Sequence, residues 1–153
     1  MAAQLGTFLD PEAIILQSDA TSSEAVIRML AAKLEARGYV KPGFADAVIA
    51  RERELPTGLD MEAGHNVAVP HTDPHHVVRA GVAVATLETP VDFANMEDPD
   101  ESVPVSIVFL LAINDKDQQI ETLQAIIATI QDARKVALLT AARNLDNLKA
   151  ALS

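Results

Sequence analysis

The sequence predicts an α/β fold, one layer of small mixed β-sheet flanked by helices, on three observations. Val105 to Ala112 form a nearly continuous apolar run, as expected of a strand covered on both faces. Shorter strand-like runs occupy Val67–Val69 and Gly81–Leu87. Apolar residues recur at helical spacing on either side of these runs, so helices should flank the sheet in a single layered domain spanning 1–153.

Taken in order, an apolar lead-in precedes Thr21-Ser22-Ser23-Glu24, whose hydroxyls and early carboxylate suit a helix start. Val26, Ile27, Leu30, Ala31 and Leu34 then follow at helical spacing, and Gly38 ends the helix after Arg37. A second helix is expected from Pro42 to Arg53, with Phe44, Ala47, Val48 and Ala50 on its buried side. Pro56-Thr57-Gly58 stops it, and residues 54–66 read as a loop. The run Val105–Ala112 should be the centre of the sheet, and Met96–Glu101 an acidic solvated loop. Asp115 or Asp117 can cap a long helix carrying Ile120, Leu123, Ile126, Ile127 and Ile130. Two shorter helices, Ala133–Ala142 and Asn144–Leu152, close the chain.

Composition narrows the function. The chain has 153 residues, enough for one domain with a sizeable core. It has no cysteine, which excludes disulfides, thiolate zinc sites and a cysteine nucleophile within it and suits a reducing compartment. Twelve basic against 22 acidic side chains, a net charge of −10, oppose binding to nucleic acid, and one tyrosine, four phenylalanines and no tryptophan offer little for base stacking. Met1–Thr7 lacks the features of a secretory signal and no apolar run approaches a membrane span, so a cytoplasmic protein without direct membrane insertion is expected.

The most informative stretch is Val67-Ala68-Val69-Pro70-His71-Thr72-Asp73-Pro74-His75-His76. Pro70 has no N–H with which to continue a sheet ladder, so the chain leaves the sheet there and delivers His71 at a strand's carboxyl end, where open α/β sheets place ligands. Imidazole is substantially neutral, nucleophilic and protonatable near pH 7. Arg51, in the last turn of the second helix, is either a cation complementing the helix dipole or a planar guanidinium for phosphoryl oxygens; Arg53 shares the first reading. Gln118 and Gln119 open the long helix after the central strand, either as helix formers or as amides able to hydrogen-bond an imidazole or a phosphoryl oxygen. His71, Asp73, His75 and His76 lack a strong metal-ligand spacing, and Pro74 interrupts a helical His71/His75 face, so no metal is expected; His65 reads as solvated. No serine-nucleophile elbow, Walker sequence or dinucleotide glycine pattern occurs, while a paired-carboxylate hydrolase stays open on composition alone.

Ala50-Arg51-Glu52, Pro56-Thr57-Gly58, Val67-Ala68-Val69-Pro70-His71, Val91-Asp92-Phe93, Val105–Leu111 and Gln119-Ile120-Glu121-Thr122-Leu123, taken in order, resemble the fructose/mannitol-type IIA components of the bacterial phosphoenolpyruvate-dependent sugar phosphotransferase system. Within that group the chain is most similar to galactitol-specific IIA proteins. The resemblance implies the mannitol-type IIA fold and a phosphocarrier: His71 takes a phosphoryl group from the phosphocarrier protein HPr and passes it to a IIB component, and through it to IIC, during sugar uptake. Arg51, Gln119 and Thr72 are the implied phosphoryl-binding and supporting residues, and no metal or nucleotide cofactor is implied. Mannitol and fructose members carry a second histidine where this chain has Gln119, and galactitol-like members carry glutamine. The loop from Thr57 to His71 is longer than in the mannitol type. The alternative is a regulatory module resembling nitrogen-type IIA proteins, in which phosphorylation of the same histidine controls partner proteins.

Overall fold

The computed structural model describes residues 8–61 and 65–152; the reading of Met1–Thr7 lies outside them. Among the described residues five strands form one mixed sheet: β1 (Leu9–Ser18), β2 (Gly58–Leu59), β3 (Asn66–Ala68), β4 (Gly81–Ala94) and β5 (Ser102–Ala112), in the order β1-β4-β5-β3-β2. β5 is the middle strand, as its apolar run requires. It pairs antiparallel with β4 and parallel with β3, β1 lies parallel to β4, and β2 lies antiparallel to β3.

Among the described residues the helices are α1 (Ser23–Ala36), α2 (Phe44–Glu54), α3 (Lys116–Ile130), α4 (Ala133–Ala141) and α5 (Leu145–Leu152). They cover both faces of the sheet. Because side chains alternate along β5, Val108, Leu110 and Ala112 face one core, with Val26, Ile27, Leu30 and Leu34 of α1 and Phe44, Val48 and Ile49 of α2. Ile107, Phe109 and Leu111 face the other, with Ile126, Ile130, Val136, Leu139 and Leu148 of α3 to α5.

Local signals set several boundaries as expected. Ser22 caps α1, its Oγ accepting from the Ala25 N–H at 3.1 Å, and Gly38 follows the helix in a left-handed conformation (φ +79°) that glycine adopts freely. Asp115, not Asp117, caps α3, accepting from the Asp117 N–H at 2.9 Å.

Other details differ. The lead-in contains β1, and the loop 54–66 contains β2. β4 continues past Leu87 to Ala94, with its register shifted between Thr86 and Val91. α2 begins at Phe44, because Gly43 precedes it with φ +94°, and Ala50 is exposed, not buried. Ile120 and Ile127 are also exposed, at 55% and 41%, so the buried stripe of α3 is Thr122, Ala125, Ile126, Thr129 and Ile130.

The topology gathers four chain segments at one end of the sheet. β3 and β5 run parallel, so the exit from β3 at His71 and the entry to α3 lie at the same end. Antiparallel pairing of Gly81 with Ala112 puts the start of β4 there, and pairing of Gly58 with Ala68 brings the carboxyl end of α2 there as well.

Candidate functional site

Val67 and Ala68 are fully buried in β3, and Val69 continues the chain at 1% exposure. The Pro70 carbonyl accepts from the Leu111 N–H at 3.0 Å, a last link to β5, while proline has no hydrogen of its own to extend the ladder. His71 emerges from this exit half-buried, its Nδ1 lying 2.8 Å from the Val69 carbonyl oxygen. A carbonyl only accepts, so Nδ1 carries the proton in that contact and the Nε2 lone pair remains for another partner.

The histidine pKa is held below its ordinary value. Burial disfavours the charged ring most, the bond to Val69 works the other way, and the Arg51 charge adds to the lowering against a smaller opposite effect from Asp73. The neutral, nucleophilic form therefore dominates at neutral pH.

Arg51 projects from the last turn of α2. Its Nη1 lies 3.9 Å from Asp73 Oδ1, at the limit of an ion pair, with side chains 35% and 65% exposed. Its Nε is buried and has no hydrogen-bond partner. Gln119 lies in the first turn of α3, its N–H donating to the Asp115 carbonyl, and its Oε1 is likewise buried without a partner. Among the described residues these two atoms are the buried side-chain polar atoms left unpaired. Both lie at the end of the sheet that holds His71. Buried polar groups are ordinarily satisfied, so an unpaired donor and acceptor at the same end of the sheet leave hydrogen-bonding capacity there.

Thr72 follows His71 and is buried at 7% exposure. Of the other histidines, His75 and His76 lie on a 3₁₀ turn (Pro74–His76) with ring centroids 4.0 Å apart, and His65 is half-buried before β3. Among the described residues no group of three or more histidine, cysteine, aspartate or glutamate side chains is arranged to hold a metal ion.

Two neighbours of the histidine escaped the sequence reading. Glu52 accepts from the Thr57 hydroxyl and from the Thr57 N–H, each at 2.8 Å, and the Thr57 hydroxyl oxygen accepts from the Val69 N–H at 3.2 Å. Burial pushes the Glu52 carboxyl up to about 7, against the lowering effect of both bonds from Thr57. The sequence signal was present in Arg51-Glu52 and Pro56-Thr57-Gly58, but their contact is tertiary.

A mixed sheet covered on both faces thus places a neutral histidine where β3 leaves the sheet, close enough to the Arg51 guanidinium to feel its charge. The chain belongs to the family described as phosphoenolpyruvate-dependent sugar phosphotransferase system, EIIA 2, whose model matches residues 7–153. Proteins of this class transfer phosphoryl groups within that system.

It is similar to the galactitol-specific EIIA component of Escherichia coli (strain K12), 30% identical over 106 residues that make up 69% of each chain. It is also 31% identical over 108 residues to the transcriptional regulator ManR of Bacillus subtilis (strain 168), a match covering 71% of this chain but 15% of that protein. The fold matches enzyme IIAMTL from Escherichia coli, solved in complex with phosphorylated enzyme IIBMTL, with a TM-score of 0.74 over 94% of this chain and 95% of that one at 24% identity. Among the described residues no helix is long and apolar enough to cross a membrane.

Proposed function

We propose that residues 1–153 form one cytoplasmic phosphocarrier domain that accepts a phosphoryl group on His71 from phosphorylated HPr and passes it to a IIB component, and through it to IIC, for uptake of a galactitol-like sugar or polyol. The observation that carries this reading is the free Nε2 of a neutral His71 at the end of the sheet that also holds the unpaired Arg51 Nε.

The chemistry is reversible phosphoryl exchange. His71 Nε2 attacks phosphorus in line with the leaving nitrogen of the donor; the Nε2–P bond forms as the donor's P–N bond breaks, and the donor imidazole departs. The ring gains positive character, which the Nδ1–H bond to the Val69 carbonyl disperses, and the Arg51 guanidinium meets the charge on the phosphoryl oxygens. Gln119 supplies hydrogen bonding without charge, and Thr72 shapes the wall beside the ring. In the second half-reaction a nucleophile of the IIB component attacks the same phosphorus, and His71 leaves.

Each partner must reach the same nitrogen in turn, so docking should be shallow and brief. Leu55, four residues beyond Arg51, Ile120, beside Gln119, and Val78, before β4, are each 55% exposed and offer an apolar rim. A transient interface of this kind buries roughly 1,200 Å² or less.

Reconstitution tests the reading. With phosphoenolpyruvate, enzyme I and HPr the protein should be phosphorylated, and a galactitol-type IIB should then take the phosphate; no labelling, or no transfer to any IIB, would count against it. A regulatory role like that of nitrogen-type IIA proteins is the second reading, favoured by the similarity to part of a transcriptional regulator. It predicts labelling without onward transfer and a regulator whose binding changes with phosphorylation.

A further inference from the structure

We propose that Glu52 and Thr57 are positioning residues for His71, acting through the main chain of Val69 to hold the ring with its proton on Nδ1 and its lone pair on Nε2. The inference rests on His71 being the phosphoryl carrier and adds what keeps that imidazole in its reactive form.

The pairing of β2 with β3 ends at Gly58 and Ala68, so the next N–H along the chain, that of the buried Val69, has no ladder partner from β2. Thr57, immediately before β2, fills the gap: its Oγ1 accepts from the Val69 N–H at 3.2 Å. A hydroxyl has one hydrogen, and here it is donated to Glu52 Oε1 at 2.8 Å, which turns a lone pair toward Val69. Glu52 Oε2 takes the Thr57 N–H at 2.8 Å, so one carboxylate grips the residue at two points. On the other side of the same valine, the carbonyl receives His71 Nδ1 at 2.8 Å, and the Pro70 carbonyl is tied to Leu111. The strand exit is thus fixed from both flanks, and the ring hangs from it by one bond.

Local preference does not explain Glu52. It sits in the last turn of α2, where the negative end of the helix dipole disfavours a carboxylate, and it is half-buried between exposed or half-exposed neighbours. Glu54, in the same turn, points to solvent. A carboxyl group kept in an unfavourable place by two short bonds, at one end of a chain of contacts that ends on the histidine, fits a site requirement better than a stability one.

The test compares wild type, Glu52→Gln, Thr57→Val and Thr57→Ser. Single-turnover transfer from phosphorylated HPr is followed against HPr concentration, the labelled residue is mapped, and the His71 tautomer is read from its ring ¹⁵N shifts. Thr57→Val and Glu52→Gln should lower the maximal rate on the order of tenfold to a hundredfold, the usual effect of slight misalignment. Half-saturation by HPr should be unchanged, since the docking rim is untouched, and the Nδ1–H tautomer should lose population. Thr57→Ser should restore both rate and tautomer. Should Thr57→Val fail to fold, the isosteric Glu52→Gln carries the comparison. Wild-type rates and tautomer in Glu52→Gln, or a Thr57→Ser protein as slow as Thr57→Val, would overturn the relay while leaving the carrier reading intact. Label found away from His71 in the wild type would overturn both.

Discussion

Replacing Arg51 with alanine should separate phosphoryl transfer from stability. In the resting protein the guanidinium does little: its ion pair with Asp73 is 3.9 Å long between partly exposed side chains, and its Nε has no partner. Such a pair contributes about 0–1 kcal/mol, and a cation at a helix carboxyl end about 0.3–1 kcal/mol. The Arg51→Ala protein should therefore unfold in denaturant with a loss of only about 1 kcal/mol. In the proposed transfer the same group faces phosphoryl oxygens. One charge-assisted hydrogen bond there is worth about 1.5–3 kcal/mol, which at about 1.4 kcal/mol per decade slows transfer roughly tenfold to a hundredfold. Arg51→Lys keeps the charge but not the planar fork, and should fall between. Rapid-quench measurement of label passing from phosphorylated HPr, beside urea unfolding, gives both numbers. A transfer rate equal to wild type would refute the reasoning and return Arg51 to its helix-dipole role.

The remaining predictions concern pH and packing. Because burial and Arg51 hold the His71 pKa below its ordinary 6.5, the rate of phosphate acceptance should fall at acid pH with its half-point below 6.5; a half-point above 6.5 would contradict the neutral ring. Glu52 keeps its proton in the fold up to about 7 but releases it near 4.5 when unfolded, so between these values the folded state binds more protons and stability falls as pH rises. Glu52→Gln should remove that slope, a difference of about 2.5 kcal/mol between pH 5 and 8 in chemical unfolding, and parallel curves would show that the carboxyl is not held in its raised state. At Gly58 an added Cβ would lie 2.5 Å from the Ala94 carbonyl oxygen and 2.8 Å from Val103 Cγ2. Gly58→Ala should therefore cost about 1–3 kcal/mol, or a melting temperature lower by roughly 2–4 °C per kcal/mol, and an unchanged melting point would mean that β2 can shift freely.

Much of this structure was legible in the chain because its signals are local. The apolar run of β5 had to be central, and Pro70 had to end β3, which located His71 before any contact was known. The missed elements lack such signals. β1 contains Pro11 and a mixed burial pattern, is interrupted by Gln17 at φ +55°, and lies at the sheet edge, where proline is tolerated. β2 has two residues and is defined by its partner alone. β4 carries Glu88, Thr89 and Pro90 outward across its register shift, so its second half does not alternate as a regular strand. Ile120 and Ile127 match helical periodicity as well as Ile126 does, and only the packed sheet decides which of them is left outside. At the site, residue types and order pointed to His71, Arg51 and Gln119, whereas the Glu52–Thr57–Val69 contacts join segments that meet only after β2 and β3 pair.

Mapping the phosphate after incubation with phosphoenolpyruvate, enzyme I and HPr tests most directly whether His71 is the carrier. One acid-labile phosphate on Nε2 of His71, absent from a folded His71→Gln protein, is the expected result. Phosphate on His65, His75 or His76, or a His71→Gln protein labelled as fully as wild type, would contradict it.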